Sequence, residues 1–221
     1  KIAIQMDDIR SIDYTFDSSF MIGLEGQKRN YELFYYHPND LFMDSGILKA
    51  NGFYIELFEQ EKNYFKFLSQ KIELELSEFK FIFLRQDPPF NMHYITSTYL
   101  LDSLHKKTIV INNPTAVRNC TEKILPFRFK EFMSPTLISQ KVDDIKNFLD
   151  FHKDIITKPL YGNGGEGIHR SKEGYLDGID TSGEYFEMPM IAQKYIPEII
   201  YGDRRLIFID GEYVGSVARI P

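Results

Sequence analysis

The chain has 221 residues, 43% of them apolar and 15% aromatic, and its formal net charge is −6 at pH 7. This length fits one large domain or two small ones, and the apolar content is sufficient for a buried core, so an intrinsically disordered chain is excluded. No basic run accompanies the negative charge, which argues against nucleic acid as a partner and favours small charged ligands.

The cysteine content and the length of the apolar runs bear on the compartment. Cys120 is the only cysteine, so an internal disulfide is excluded and a reducing environment is expected. In the helical pattern around it, this side chain is expected to pack in a core rather than to act as a nucleophile. The apolar runs have the length of strands and no signal-peptide pattern opens the chain, so we expect a cytoplasmic protein without a membrane partner.

The first half of the chain predicts an α/β domain with an open, mostly parallel sheet. Strand patterns lie at residues 1–6, 32–36, 79–84 and 108–111, and helical patterns run through Phe20, Leu24 and Gln27 and through residues 95–104. Asp17, Ser18 and Ser19 offer N-cap groups to the first of these helices. Ligands of such sheets bind at the carboxyl ends of the strands, where we expect loops at residues 7–19, 85–90 and 112–114.

One of these loops carries charges next to a stiff segment. Arg85 and Asp87 precede Pro88 and Pro89, and the two prolines restrict the backbone of the loop. The two charged residues are therefore expected to hold fixed positions, either to bind a ligand or to pair with each other beside a rigid turn. The residues alone leave both interpretations open.

The second half predicts an α+β domain built on antiparallel strands, and we place the two domains at residues 1–118 and 119–221. Helical patterns lie at residues 120–129 and 142–152, and strand patterns lie at residues 137–139, 155–160 and 190–196. Residues 204–209 and 212–220 predict two further strands, and Asp210-Gly211 between them is a strong signal for a two-residue hairpin.

A lysine that precedes a glycine-rich loop is the strongest motif of the chain. Lys158 closes an apolar strand, and the glycines that follow allow backbone N–H groups to approach an anion; they are Gly162, Gly164, Gly165 and Gly167. P-loops place the lysine after the glycines, dinucleotide-binding loops open a helix, and protein kinases place the glycine loop before the lysine. The order found here is that of the ATP-grasp ligases, whose loop closes over the ATP phosphates. A plain glycine-rich turn is the alternative.

Several segments, in order along the whole chain, resemble the bacterial glutathione synthetases, which are ATP-grasp ligases. The segments are residues 6–7, 17–20, 85–90, 119–123, 158–165, 192–197, 202–205 and 218–221. The resemblance implies an N-terminal pre-ATP-grasp domain, an ATP-grasp domain that is incomplete at its C-terminus, and a homo-oligomer.

The resemblance also implies roles for individual residues. It assigns Lys123 and Lys158 to the ATP phosphates, the four loop glycines to a lid over them, and Gln193, Tyr195 and Ile196 to the adenine. It places Asp203 near the nucleotide and the substrate, Asp17, Ser18, Ser19 and Arg85 at the peptide, and Arg205 and Arg219 as catalytic cations on carboxylate or acyl-phosphate oxygens. Without the resemblance, Lys123 would be interpreted as a surface lysine and residues 202–205 as a charged turn.

The implied reaction joins γ-glutamylcysteine to glycine with ATP and Mg²⁺, or with Mn²⁺ in its place. The cysteinyl carboxylate attacks the γ-phosphate, and the glycine amine then displaces phosphate from the acyl phosphate. The family's metal ligands, a pair of acidic residues and an asparagine, are expected beyond Pro221. Because the chain starts at Lys1 without methionine and ends directly after a strand pattern, we expect that it lacks residues at both ends.

Two other hypotheses remain at this point. The first is a related ATP-grasp ligase that adds glutamate or another amino acid to a different carboxylate, although the segments at residues 17–19 and 87–90 favour the glutathione synthetases. The second is a nucleotide-binding or peptide-binding fragment without turnover.

Overall fold

The structure is a computed structural model that describes residues 1–60, 63–104, 108–172 and 174–220. The chain divides into two compact units, Lys1–Leu125 and Pro126–Pro221. The domain boundary that we place after residue 118 stays a prediction. Among the described residues there is no helix with the length and apolar character that crossing a bilayer requires.

Within the described part of the first unit, eight strands form one sheet. They are β1 (Ile2–Gln5), β2 (Leu33–Tyr36), β3 (Leu41–Asp44), β4 (Ile47–Leu57), β5 (Phe65–Phe67), β6 (Ile72–Glu75), β7 (Phe81–Leu84) and β8 (Ile109–Ile111). Strand β1 pairs in parallel with β2 and β7, and β7 pairs in parallel with β8. Strand β4 pairs antiparallel with β2, β3, β5 and β6.

The parallel part of this sheet was predicted and its antiparallel part was not. Strands β1, β2, β7 and β8 confirm the four strand patterns of the first half. Strands β3 and β4 form a hairpin whose turn residues, Ser45 and Gly46, have φ of 51° and 87°. Along β4, Leu48 and Ala50 are buried in one core cluster and Ile55 and Leu57 in the other, so the buried face of the strand changes near its middle.

Helices cover both faces of the sheet. Helix α1 (Ser18–Lys28) packs Phe20 and Leu24 on one face, and α2 (Met92–Asp102) packs Leu101 on the other. The short α3 (Pro114–Asn119) follows β8. Because helices lie on both faces of a sheet with a parallel core, the first unit has the predicted α/β class.

The prediction of a helix at residues 120–129 is wrong. Helix α3 ends at Asn119, and Leu125–Phe132 form 3-10 turns that are interrupted at Phe129. Pro126 lacks the N–H group that a continuous α-helix needs at this position. Cys120 is exposed, so its expected packing in a core is also wrong.

The second unit has the predicted α+β class. Its strands and helix are β9 (Thr136–Lys141), α4 (Val142–His152), β10 (Asp154–Pro159), β11 (His169–Lys172), β12 (Tyr185–Lys194), β13 (Asp203–Ile209) and β14 (Glu212–Arg219). The first four strands form an antiparallel sheet in the order β11-β10-β12-β9. Helix α4 packs Val142, Ile145 and Leu149 against Ile155 and Ala192 on one face of this sheet.

Strands β13 and β14 form the predicted hairpin. Asp210 and Gly211 have φ of 56° and 82°, which is the left-handed conformation that a two-residue type I′ turn requires at both central positions. Many of its apolar side chains are exposed, among them Phe208 at 57% and Val217 at 52%.

A larger side chain in place of Gly52 should destabilise the first unit. Gly52 lies where β4 passes from pairing with β6 to pairing with β2, and a Cβ atom there would lie 2.3 Å from the Tyr35 carbonyl oxygen and 2.6 Å from the Phe34 ring. We expect Gly52→Ala to lower the free energy of unfolding by about 1–3 kcal/mol, because backbone and ring must move apart. The measurement is the urea midpoint followed by circular dichroism.

Gly215→Ala is the matched control for this substitution. Gly215 also lies in a strand, but a Cβ atom there meets no atom within 4 Å. Its replacement should change stability by less than about 0.5 kcal/mol. Equal unfolding midpoints for the two variants would contradict the packing role of Gly52.

Candidate active site

The glycine-rich loop connects β10 to β11 and is exposed along nearly all of its length. Gly164 and Gly165 have φ of 64° and 85°, and a Cβ atom at either position would meet no atom within 4 Å. Glycine is therefore needed at these positions for the left-handed backbone and not for close packing. An exposed loop of this kind can bring its N–H groups to an anion.

Lys158 lies on the sheet face that points away from α4. Ile155 and Thr157 of β10 are buried, and because strand residues alternate between faces, Lys158 lies on the opposite side. The register places Lys158 beside Ile191 and Ile138, and the next row along the strands is Ile156, Gln193 and Thr136. We call these six residues the ligand face.

The two ends of the ligand face differ in chemistry. Lys158 is half-buried and lies two residues before the chain enters the glycine-rich loop through Leu160. At the other end, Gln193 Nε2 donates a hydrogen bond to Thr136 Oγ1 at 3.0 Å. Ile191 lies beside Lys158 in one row, and Ile156 lies beside Gln193 in the next. The face therefore offers a cation in the row nearer the loop, an amide in the adjacent row and isoleucines in both.

The segment after β12 is held by β10 and β11. Tyr195 N donates to the Asp154 carbonyl oxygen at 3.0 Å, and the Arg170 guanidinium lies 3.4 Å from the centroid of the Tyr195 ring. Arg170 also binds the Asp154 carboxylate through two hydrogen bonds, of 2.9 and 2.6 Å. This bond to Arg170 lowers the pKa of the Asp154 carboxyl. Ile196 is 53% exposed.

Asp203 and Arg219 face each other across the hairpin. Arg219 Nε donates to Asp203 Oδ1 at 2.7 Å, and Arg219 Nη2 donates to Asp203 Oδ2. The bond from Arg219, with the nearby charge of Arg205, lowers the pKa of the Asp203 carboxyl. Gly202 precedes this pair, and a Cβ atom there would lie 2.2 Å from the Arg219 carbonyl oxygen. Among the described residues, Arg205 is exposed and has no ion-pair partner.

The first unit gathers charged residues at the carboxyl ends of β1 and β7. Arg85 Nε donates to the buried Ser19 Oγ at 3.1 Å, and Asp87 N donates to Asp7 Oδ2 at 2.5 Å. Within the described residues Arg85 forms no ion pair with Asp87, so the interpretation of a simple pair beside a rigid turn is wrong. Desolvation, followed by the charges of Asp7 and Asp17, raises the pKa of the Asp87 carboxyl.

Asp17 and Ser19 make hydrogen bonds within the protein itself. Asp17 Oδ1 accepts the N–H of Phe20 at 2.7 Å and caps α1, as predicted. Ser18 is exposed, whereas Ser19 is buried and holds Arg85. The peptide-binding roles of these residues stay predictions.

The sequence analysis missed several residues that line a cavity of about 130 Å³ beside this cluster. They include His37, Asn91, His93 and Tyr94, which line the cavity together with Asp7, Gln86 and Asp87 from the predicted segments. His37 directly follows β2 and Arg85 directly follows β7, and one residue separates Asp7 from the end of β1. The rule that ligands bind at the carboxyl ends of parallel strands was therefore sufficient to find His37.

Lys123 is half-buried and lies in a turn after α3, in the first unit, not on a helix. No group of three or more His, Cys, Asp or Glu side chains in the described ranges is arranged to hold a metal ion. The metal ligands thus remain unassigned.

Solved structures that include an ATP-grasp protein share the fold of this chain. D-cycloserine synthetase DcsG has a TM-score of 0.62 at 13% identity, covering 100% of this chain and 68% of that one. A RimK domain ATP-grasp protein from Sphaerobacter thermophilus has a TM-score of 0.61 at 13% identity, covering 99% and 72%. At such identities the likeness shows the fold alone.

Sequence comparison gives the family. Residues 1–118 match the N-terminal domain of prokaryotic glutathione synthetase, and residues 122–221 match its ATP-grasp domain. The chain is 42% identical to glutathione synthetase from Brucella melitensis and 44% identical to that from Agrobacterium fabrum. Both alignments cover the whole of this chain, and they cover 72% and 70% of the two relatives. The chain belongs to the prokaryotic glutathione synthetase family, as the resemblance predicted.

Asp87→Asn should change the pH dependence of stability. A raised carboxyl pKa means that the folded state binds the proton more tightly than the unfolded state, so the wild-type chain loses stability as pH rises through that pKa. Asparagine removes this loss. We expect the variant to gain stability over the wild type between about pH 4 and pH 7, by less than about 1 kcal/mol because the group still contacts water. Urea unfolding across this range measures the difference.

Asp180→Asn is the control with the opposite sign. The Asp180 carboxylate accepts the N–H of Ser182 at 2.9 Å, which lowers the pKa of this carboxyl. Its stabilising contribution is present near neutral pH and is lost in acid, so the variant should be less stable than the wild type at neutral pH. A gain of the same sign in both variants would refute the assignment for Asp87.

Proposed function

We propose that this protein catalyses the ATP-dependent joining of γ-glutamylcysteine to glycine, which forms glutathione. The observation that carries the proposal is the ligand face, on which Lys158, three isoleucines and Gln193 share one side of the sheet next to an exposed glycine-rich loop. Membership of the glutathione synthetase family supports this reaction over the addition of glutamate or another amino acid. It also supports turnover over a binding function alone.

The adenine would lie against the isoleucines of the ligand face, with Gln193 and Ile196 at its edge. The Tyr195 N–H is already bound to Asp154, and the Tyr195 carbonyl and the Ile196 N–H belong to one planar peptide unit and point in opposite directions. A single base edge can therefore use only one of these two groups. We assign the Ile196 N–H as donor to a ring nitrogen and Gln193 Oε1 as acceptor from the amino group, since Gln193 Nε2 is engaged by Thr136.

The phosphates would extend from the adenine toward Lys158. Two residues along a strand span about 6.6 Å, so the row of Lys158 lies one step nearer the loop than the row of Gln193. A lysine ammonium neutralises phosphate oxygens as a compact charge, and the family resemblance adds Lys123. Closure of Gly162, Gly164, Gly165 and Gly167 over the phosphates would exclude water from the acyl phosphate.

The arginines would hold the negative oxygens while phosphate is transferred. An arginine has five N–H donors, and Arg219 uses only two nitrogens on Asp203, so its remaining donors are available to a carboxylate or phosphoryl oxygen. Arg205 lies on the same face of the hairpin, two residues from Asp203. A divalent metal ion, Mg²⁺ or Mn²⁺, would neutralise phosphate charge when bound; its protein ligands are not assigned, since no group of three or more His, Cys, Asp or Glu side chains is arranged for it among the described residues.

Peptide recognition would fall to the first unit. Arg85 is fixed through Nε by Ser19, which leaves its two terminal nitrogens side by side for a carboxylate of γ-glutamylcysteine. Asp17 and Ser18 lie at the N-terminus of α1, the helix that contains Ser19. We further propose a cytoplasmic homo-oligomer with no nucleic-acid or membrane partner, on the basis of the single cysteine, the net charge and the family.

Replacement of Arg85 should damage peptide use and spare ATP. A bidentate arginine–carboxylate contact is worth about 1.5–3 kcal/mol, so Arg85→Ala in the full-length enzyme should raise KM for γ-glutamylcysteine roughly ten- to a hundredfold. Steady-state kinetics with each substrate varied in turn is the measurement. Arg29→Ala, which removes an exposed arginine paired with Glu25, is the control and should leave all constants unchanged. A rise in KM for ATP alone would exclude this role for Arg85.

Nucleotide should protect the glycine-rich loop from proteolysis. Glu166 is exposed in the loop, so a glutamate-specific protease should cut there readily in the free enzyme. A nonhydrolysable ATP analogue with Mg²⁺ should slow this cut roughly tenfold or more, because closure orders the backbone. Cleavage after the exposed Glu184 serves as the internal control and should not change. Equal rates at Glu166 with and without nucleotide would show that the loop is not a lid.

A further inference from the structure

Arg170 forms contacts with Asp154 and Tyr195 that have no role in the proposed chemistry. It lies in β11, three residues after Gly167, at the point where the glycine-rich loop returns to the sheet. Its guanidinium binds both oxygens of Asp154 and stacks on Tyr195 at 3.4 Å. Asp154 in turn accepts the Tyr195 N–H through its carbonyl oxygen at 3.0 Å. Three separate strand ends therefore meet in one contact group.

We propose that Arg170 is a positioning residue that fixes the adenine-binding segment through Tyr195 and ties it to the base of the lid. The inference rests on the proposed function, since it takes residues 193–196 as the adenine-binding segment. Tyr195 lies between Gln193 and Ile196, the two residues assigned to the base edge. Arg170 touches neither base nor phosphate in this proposal and acts only by holding the Tyr195 ring.

The exposure of the pair argues for positioning rather than for stability. The Arg170 and Asp154 side chains are 38% and 32% exposed, and ion pairs of that exposure add little to folding. The stacked ring adds a second restraint, because a planar guanidinium bonded along one edge by Asp154 and covered on one face by Tyr195 loses most of its rotational freedom. The group therefore restricts the orientation of residues 194–196 more than it stabilises the fold.

The first experiment is steady-state kinetics of Arg170→Ala in the full-length enzyme, with ATP and GTP compared. We expect KM for ATP to rise roughly tenfold, kcat and KM for γ-glutamylcysteine to stay within about twofold, and the preference for ATP over GTP to fall. A loss of kcat with all Michaelis constants changed alike, or an unchanged KM for ATP, would overturn the proposal. Arg10→Ala is the matched control, because Arg10 binds both oxygens of Asp8 in the same way but stacks on no ring among the described residues.

The second experiment tests whether Arg170 acts through Tyr195. Tyr195→Leu removes the ring and should reproduce the effect of Arg170→Ala, whereas Tyr195→Phe keeps the ring and should raise KM for ATP less than Tyr195→Leu does. The double variant Arg170→Ala/Tyr195→Leu should then raise KM for ATP no more than either single variant does. Additive increases in KM would overturn the proposal.

These outcomes separate the proposal from the proposed function. If Tyr195→Leu raises KM for ATP and Arg170→Ala does not, the adenine assignment holds and the role of Arg170 is refuted. If neither variant alters KM for ATP, the adenine assignment and the role of Arg170 both fail. Absence of glutathione formation by the wild-type enzyme would refute the function independently.

Discussion

The register between β10 and β12 is the constraint on which the site depends. It sets Lys158 beside Ile191 and Ile156 beside Gln193, so that a cation and an amide share one face. A slip by one residue would move every side chain of β10 to the other face and bury Lys158 against α4. The burial of Ile155 and Ala192 against α4 opposes such a slip, because it would expose apolar side chains and desolvate an ammonium. The hydrophobic core of the second unit therefore also determines its chemistry.

Two of the arginines assigned to the proposed substrates are held by the protein before any ligand arrives. Arg219 is bound by Asp203 and Arg85 by Ser19. In each case only part of the guanidinium is used, so donors remain for an anion. A cation that is already oriented loses less conformational entropy when it binds, and fixed charges are most effective where negative charge develops during reaction. This arrangement suits the proposed reaction, in which ATP, γ-glutamylcysteine and the acyl phosphate are all anionic.

The sequence predicted what short-range patterns determine and missed what distant pairing determines. The apolar strands of the parallel core, helix α4 and the Asp210-Gly211 turn were found because each carries its own period or turn residues. Strands β3 to β6 escaped because their polar positions, such as Lys49 and Asn51, dilute the apolar pattern. The Asp203–Arg219 pair was also out of reach. A plain two-residue hairpin would place Ala218 opposite Asp203, and the irregularity between Ile207 and Phe208 shifts the register by one to bring in Arg219.

The two units divide rigidity and motion in a way that fits the chemistry. In the first unit, Arg85 and Asp87 lie at the ends of buried parallel strands and are tied to Ser19 and Asp7. In the second, Gly164 and Gly165 are exposed, and a Cβ atom added at either one would meet no atom within 4 Å among the described residues. A carboxylate of fixed shape is best recognised by groups that do not move, whereas an acyl phosphate that water would destroy needs a cover that opens for substrates and closes during reaction. Glycines are the residues whose backbone permits both states of such a cover.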